Sequence, residues 1–227
     1  MQDDDKRLAA EAAVAEIADG MRVGLGSGST VTFAIAAVGR KLADWPSTTF
    51  FSTSQRTTNA AREADIPIAR FADQAELDLV IDGVDEIDPY FRAIKGGGGA
   101  MLREKILASA ARRMVAIADS SKRVATLGNA PVPVEVLPFA RSFVAARARA
   151  LGADPVLRMT GAGKEFRTNQ GNLILDCHFG LIADPEQLAA ELQAIPGALG
   201  HGLFLTEIDA SYIATDGIVA KMERAAS

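Results

Sequence analysis

The sequence predicts an α/β fold, a Rossmann-like parallel sheet domain with an inserted smaller α+β, ferredoxin-like domain. Three observations carry this. Over the first 122 residues short apolar runs alternate with helical patterns, the βα repeat of a doubly wound parallel sheet. A composition shift at Gly128-Asn129-Ala130-Pro131-Val132-Pro133 then opens a βαββαβ order. The polar turns of the first region all follow strands, at the carboxyl ends where open α/β sheets hold ligands. The expected division is residues 1–128 plus 207–227 for the larger domain and 129–206 for the smaller.

Taken in order, residues 3–18 read as a helix with an Ala-rich apolar stripe, stopped by Gly20. Met21–Leu25 reads as a strand, followed by Gly24-Leu25-Gly26-Ser27-Gly28-Ser29-Thr30 and an apolar helix from Val31 to Leu42. Strand, glycine-rich turn and helix start leave backbone N–H groups free for an anion, and Ser27, Ser29 and Thr30 add hydroxyls. The glycine spacing is not that of a dinucleotide fingerprint, and no lysine makes the turn a P-loop. A tight capped βα turn is the plainer reading.

Thr48–Ser52, Ile66–Ala69, Leu77–Ile81 and Met114–Ala118 read as further strands, with Pro67 marking an edge. Thr53-Ser54-Gln55 reads as another polar turn followed by a helix to about Ala64, and a further helix runs from the glycine run to about Arg112. In the smaller domain, strands are expected at 133–137, 156–160, 172–178 and 202–206, with helices at 139–151 and 185–194. Ser211–Ala214 and Ile218–Lys221, joined by Thr215-Asp216-Gly217, form a hairpin that returns to the first domain.

The bulk properties exclude several classes. The chain of 227 residues is 48% hydrophobic and 23% charged, enough for a full core. A net charge of −5 argues against nucleic acid or an acidic membrane as partner. No apolar run is long enough for a membrane span, and the acidic N-terminus does not resemble a secretory signal. One cysteine, Cys177, allows no internal disulfide and suits a cytoplasmic location; its strand setting makes it a small core residue. The two histidines, His178 and His201, have no metal-ligand spacing, so acid–base chemistry falls to carboxylates and lysines.

Those groups concentrate in Asp82–Lys105. Asp82 ends a buried strand and Asp85 lies close by. Neighbouring carboxylates resist double ionisation, which suits proton transfer, although capping of the turn is an equal reading. A divalent metal held by Asp82, Asp85, Glu86 and Asp88 is a further alternative. Lys95 supplies a cation. Gly96–Gly99 is either a linker or a cradle of N–H donors for an oxyanion. Glu104, beside a small-residue stripe on the next helix, is either a partly desolvated base or a surface carboxylate.

The motifs Gly24-x-Gly26-Ser27-Gly28-Ser29-Thr30, Asp82-Gly83-Val84-Asp85-Glu86, Lys95-Gly96-Gly97-Gly98-Gly99-Ala100, Arg103-Glu104-Lys105 and Ala118-Asp119-Ser120-Ser121-Lys122 occur in one order. Together with Pro133-Val134-Glu135-Val136 and Thr215-Asp216-Gly217, they resemble ribose-5-phosphate isomerase of the A type over nearly the whole chain. The resemblance implies interconversion of D-ribose 5-phosphate and D-ribulose 5-phosphate through a cis-enediolate in the non-oxidative pentose phosphate pathway. It implies no cofactor and no metal, and a homodimer or dimer of dimers. Glu104 matches the base. Asp82, Asp85 and Lys95 match groups that bind the sugar and assist ring opening and hydroxyl proton transfer. Ser27, Gly28, Ser29, Thr30, Gly83, Gly96, Gly97, Gly98 and Lys122 match substrate contacts, and Lys6 aligns with a lysine near the phosphate. The rival readings are a CoA-transferase-like enzyme, a sugar-phosphate-sensing module of the same fold, and an NAD protein, which the glycine spacing disfavours.

Overall fold

The computed structural model describes residues 2–225. The chain forms two compact units. The larger holds the residues up to Val84, Arg103–Lys122 and the residues from Thr206 onward; the smaller holds Asp85–Leu102 and Arg123–Leu205.

α1 (Gln2–Val14) carries Asp3, Asp4 and Asp5 in its first turn, where carboxylates favour the helix dipole. It ends before the expected residue 18, in tighter turns where Glu16 N and Ile17 N reach back three residues to Ala13 O and Val14 O, and Glu16 turns its side chain across the sheet. Glu16 meets Arg113 at 2.6 and 3.0 Å, Tyr212 Oη at 2.7 Å and Lys221 at 3.1 Å. β1 (Arg22–Leu25), α2 (Ser29–Lys41), β2 (Thr49–Ser52) and α3 (Gln55–Glu63) follow as the periodicity predicts. The strand expected at Ile66–Ala69 is only a bridge from Ile68 to Phe50, since Pro67 has no N–H to give a ladder.

β3 (Leu79–Gly83), β4 (Glu86–Ile87), β5 (Ala93–Ile94), α4 (Met101–Ala110) and β6 (Met114–Asp119) come next. β7 (Val132–Val136), α5 (Arg141–Ala150), β8 (Asp154–Leu157), β9 (Leu173–His178), α6 (Pro185–Gln193) and β10 (Ala198–His201) complete the βαββαβ order. β11 (Leu203–Phe204), β12 (Ala210–Thr215) and β13 (Ile218–Glu223) close the chain. Two expected strands moved. The one at 156–160 begins earlier, at Asp154. The last strand of the small sheet, expected at 202–206, forms earlier, at Ala198–His201 beside β7, and within the expected range only Leu203–Phe204 is a strand, paired with β5.

The larger unit is a six-stranded sheet of order β13-β12-β6-β3-β1-β2, parallel except for β13. β1 lies between β2 and β3, so the chain reverses its direction of growth there. That is the switch point where such sheets leave a crevice. β3 and β6 read as unbroken apolar runs because both faces are covered. α1 and α2 supply one layer, with Ala9, Ala13, Val31, Ala34 and Val38 fully buried against Val23, Ile81 and Ile117. On α4, Leu107 closes over Gly24: a Cβ there would stand 3.2 Å from its Cδ2. The β12–β13 turn, Asp216-Gly217, has positive φ at both residues, the hairpin geometry whose twist matches the strands. Asp5 of α1 accepts from both turn amides, at 3.2 and 2.8 Å.

The smaller unit has an antiparallel sheet of order β10-β7-β9-β8, the ferredoxin-like order, and a short sheet β11-β5-β4. Val134, Val136, Leu175, Cys177, Val144, Ala148 and Leu192 form its core. Burial pushes the Cys177 thiol up to about 12, as befits a packed apolar position. The pairing of β5 with β11 groups residues 85–102 with this unit, as compactness also groups 123–128. The sequence predicts both segments in the larger domain.

Candidate functional site

In the larger unit the site is built at the switch point between β1 and β3. The Asp82 carboxylate, wholly buried at the end of β3, turns back toward the glycine loop that leaves β1. Its Oδ1 accepts from Ser27 N at 2.9 Å and from Gly83 N at 2.7 Å. Gly26 is required for this approach, because a Cβ there would fall 1.8 Å from Asp82 Oδ1. Ser27 then does a second task. Its hydroxyl donates to Glu104 Oε1 at 2.5 Å, fixing a carboxylate that is only 3% exposed. One serine thus ties the ends of β1 and β3 to α4.

The three residues Arg103-Glu104-Lys105 point to three different environments. Glu104 goes to Ser27; Lys105 goes to Glu207 at 3.8 Å, where burial holds its ammonium below the usual lysine range; Arg103 is half-buried on another side of the helix. The plain reading of Glu104 as a surface carboxylate is therefore excluded by its burial.

Gly28 begins α2 with φ of +102° and gives it no side-chain cap, which leaves the first-turn amides of the helix open to an anion. Gly28 and Ser29 are exposed, and Thr30 is buried. Lys122 closes a turn after β6 whose shape is set by Asp119, the acceptor of Ser121 N at 3.0 Å. Burial works to raise the Asp119 carboxyl, but hydrogen bonds from Ser121 and Gln2 and the charge of Lys122 leave it lowered on balance. Lys6 is paired with Asp3 at 3.2 Å on α1, and no hydrogen bond joins it to Ser27, Asp82 or Glu104.

The smaller unit carries the other predicted residues. Asp85 Oδ2 accepts from Gly97 N at 2.8 Å, and Asp85 N donates to Ile94 O at 2.8 Å. Lys95 is 2% exposed, with Nζ 5.3 Å above the Phe204 ring. The glycine run is an ordered turn: Gly99 N donates to Gly96 O at 2.9 Å, and Gly96 and Gly99 have φ of +107° and +79°. Gly97 and Gly98 face solvent. Glu86 and Asp88 are occupied elsewhere. Glu86 caps Gly128 N and Ala130 N at 2.8 and 2.5 Å, and Asp88 caps Tyr90 N and Arg92 N at 2.9 and 3.0 Å while pairing with Arg92. Among the described residues no group of three or more His, Cys, Asp or Glu is arranged to hold a metal ion.

Two supporting residues escape the sequence reading. Thr57 Oγ1 donates to Gly26 O at 2.6 Å, bracing the glycine loop from α3, and Ser54 caps that helix by accepting from Thr57 N at 3.0 Å. Arg158 Nη1 donates to Gly96 O at 2.9 Å and Gly97 O at 3.1 Å, while its guanidinium pairs with Asp176. Nothing local in the sequence joins position 158 to position 96.

The description "Ribose 5-phosphate isomerase A (phosphoriboisomerase A)" belongs to the family model that matches residues 49–217. A ribose-5-phosphate isomerase A of Roseiflexus castenholzii is 50% identical, with 94% of this chain and 93% of that protein covered. One of Sphingopyxis alaskensis is 49% identical, with 97% and 96% covered. Among solved structures, ribose 5-phosphate isomerase A of Neisseria gonorrhoeae superposes with a TM-score of 0.92 at 36% identity, covering 100% and 99% of the two chains. A D-ribose-5-phosphate isomerase in complex with phospho-erythronic acid gives 0.95 at 35% identity, covering 99% and 100%. With a braced glycine loop, a buried glutamate and this breadth of likeness, the chain belongs to the ribose 5-phosphate isomerase A family.

Proposed function

We propose that this enzyme interconverts D-ribose 5-phosphate and D-ribulose 5-phosphate through a cis-enediolate, in the non-oxidative pentose phosphate pathway, with Glu104 as the base. The observation that carries the reading is the 2.5 Å bond by which Ser27 holds the buried Glu104 carboxylate beside the glycine loop. Glu104 removes the C2 proton; the C–H electron pair forms the C1–C2 double bond, and the carbonyl pair passes to O1. O2 then gives up its proton, O1 receives one, and Glu104 returns its proton to C1. The atoms balance without hydride acceptor or metal.

Developing negative charge needs donors that are in place before the reaction. The family pattern, carried onto this chain, gives that role to Lys95 and the N–H groups of Gly96–Gly98. It gives sugar binding, ring opening and hydroxyl proton transfer to Asp82 and Asp85. Ser27–Thr30, Gly83 and Lys122 bind the ligand, and Lys6 serves the phosphate. A family relative that holds phospho-erythronic acid supports a phosphorylated sugar as the ligand class. Assembly as a homodimer or dimer of dimers and a cytoplasmic location belong to the same proposal. No helix among the described residues is long and apolar enough to cross a membrane.

The test is incubation of the chelator-treated protein with ribose 5-phosphate while ketose formation is followed. Conversion at an undiminished rate is expected. No conversion rejects the isomerase, and conversion lost on chelation moves the chemistry to a metal. Sedimentation of the same preparation reads the assembly.

A further inference from the structure

We propose that a second binding site, for a small organic phosphate with an apolar body, lies on the larger unit between α4 and the segment that follows α3. The pocket there has a volume of about 540 Å³, within the range of small-molecule sites. Ile68, Phe71, Ile106 and Leu107 give it apolar walls, and Arg70 and Arg103 give it two guanidinium groups. None of Ser27, Asp82 and Glu104 lines it. Arg103 and Glu104 are successive residues of one helix and so leave it in directions about 100° apart.

The state of these two arginines argues for a ligand. Elsewhere in the larger unit Arg22, Arg40, Arg112 and Arg113 each pair with a carboxylate, while Arg56 and Arg62 on α3 extend singly into solvent, outside this pocket. The side chains of Arg70 and Arg103 make no hydrogen bond or ion pair among the described residues, although the chain carries a net charge of −5. Two unpaired guanidinium groups at one pocket offer the forked donor geometry that suits a phosphate dianion. The pocket's hydroxyls are already committed: Ser52 and Thr58 bond to each other at 2.6 Å, and Thr58 also donates to Ser54 O at 3.1 Å. They do not invite a polyhydroxylated sugar. An aromatic or aliphatic phosphate ester satisfies both the walls and the charges.

The inference does not rest on the isomerase reading, and its test uses binding. Phenyl phosphate is titrated calorimetrically into the full chain, with ribose 5-phosphate present in excess so that any substrate site is filled. Saturable binding is expected. Arg70→Ala should weaken it about tenfold, the loss of one charge-assisted contact. Ala72→Phe, which fills the pocket without altering charge, should remove it. Arg62→Ala, an arginine of α3 outside the pocket, should leave it unchanged. Phenol and inorganic phosphate should each bind at least about tenfold more weakly than the ester. No binding to the wild-type chain overturns the site, as does equal affinity in Arg70→Ala and Ala72→Phe. Inorganic phosphate binding as tightly as the ester also overturns the assignment of ligand class.

Discussion

Two glycine-rich loops carry most of the candidate chemistry; each gives an N–H to an aspartate and takes a side-chain donor on its carbonyls, but the balance and the source of these bonds differ. The loop after β1 is held through its N–H groups and side chains: Ser27 N and Oγ are given to Asp82 and Glu104, and Gly26 O takes Thr57. The loop after β5 is held largely through its carbonyls, two of which receive Arg158, while Gly97 N goes to Asp85. The first loop is set by groups at strand and helix ends that any sheet of this order brings together. The second depends on a side chain that arrives from β8's far end, more than sixty residues along. A glycine run in sequence therefore says only that the backbone is free to bend; what fixes it must be sought among its hydrogen-bond partners.

The comparison can be broken at several points. Glu104→Gln keeps the side chain's shape and its acceptor for Ser27 but removes the base. Turnover of ribose 5-phosphate should fall by about 10³-fold or more, with ligand affinity within about threefold. Near-normal kcat in that variant would take Glu104 out of the mechanism. Gly26→Ala places a Cβ against Asp82 and should cost the larger unit about 3 kcal/mol in urea unfolding, along with most activity. A neutral result would mean that Asp82 can turn aside freely.

Arg158→Ala leaves Asp176 without its partner and frees two carbonyls. Hydrogen exchange at Gly97–Gly99 should rise about tenfold, while the amide of Ser27 keeps its protection. Equal loosening of both loops would show that they are not held independently. Ser27→Ala should lower kcat about tenfold with little change in stability, and Ser27→Thr should restore most of it. Failure of that rescue would assign the serine a role other than orienting Glu104.

The smallest effect expected is acid sensitivity. Burial works to raise the Glu16 carboxyl, but bonds from Arg113, Tyr212 and Lys221 outweigh it and lower the group to about 2. A depressed folded-state pKa stabilises above the unfolded value near 4.5, and that share is lost as pH falls toward 2. After solvent screening it amounts to about 1–2 kcal/mol. Glu16→Gln should flatten the fall in urea midpoint between pH 5 and pH 2. An unchanged slope would remove Glu16 as its source.

The sheet domain was readable because each of its buried strands is an apolar run with a turn of characteristic composition behind it. β3 and β6 are bounded as expected to within two residues, and the glycine turn lies where the spacing put it. The strand expected at Ile66–Ala69 failed because Pro67 removes the donor that a ladder needs, a cost the apolar pattern does not register. The strand expected at 202–206 failed for another reason. Two short strands with different partners, β10 just before that range and β11 within it, follow each other closely, and periodicity cannot tell which of them completes the small sheet. At the site, Asp82, Glu104 and Lys95 could be named because chemistry marks them, although their burial could not be read. Thr57 and Arg158 are an ordinary threonine and arginine until the fold delivers their partners.

The packing of Cys177 has a practical consequence. A thiol held that far from ionisation, inside the β7–β9 core, is shielded from alkylating reagents while the smaller unit stays closed. Trp45 is likewise single in the chain and belongs to the core of the larger unit. The unaltered protein therefore contains one chemical and one fluorescent reporter, each confined to a different unit. The rate of thiol labelling times the opening of the smaller unit, and indole emission follows the larger.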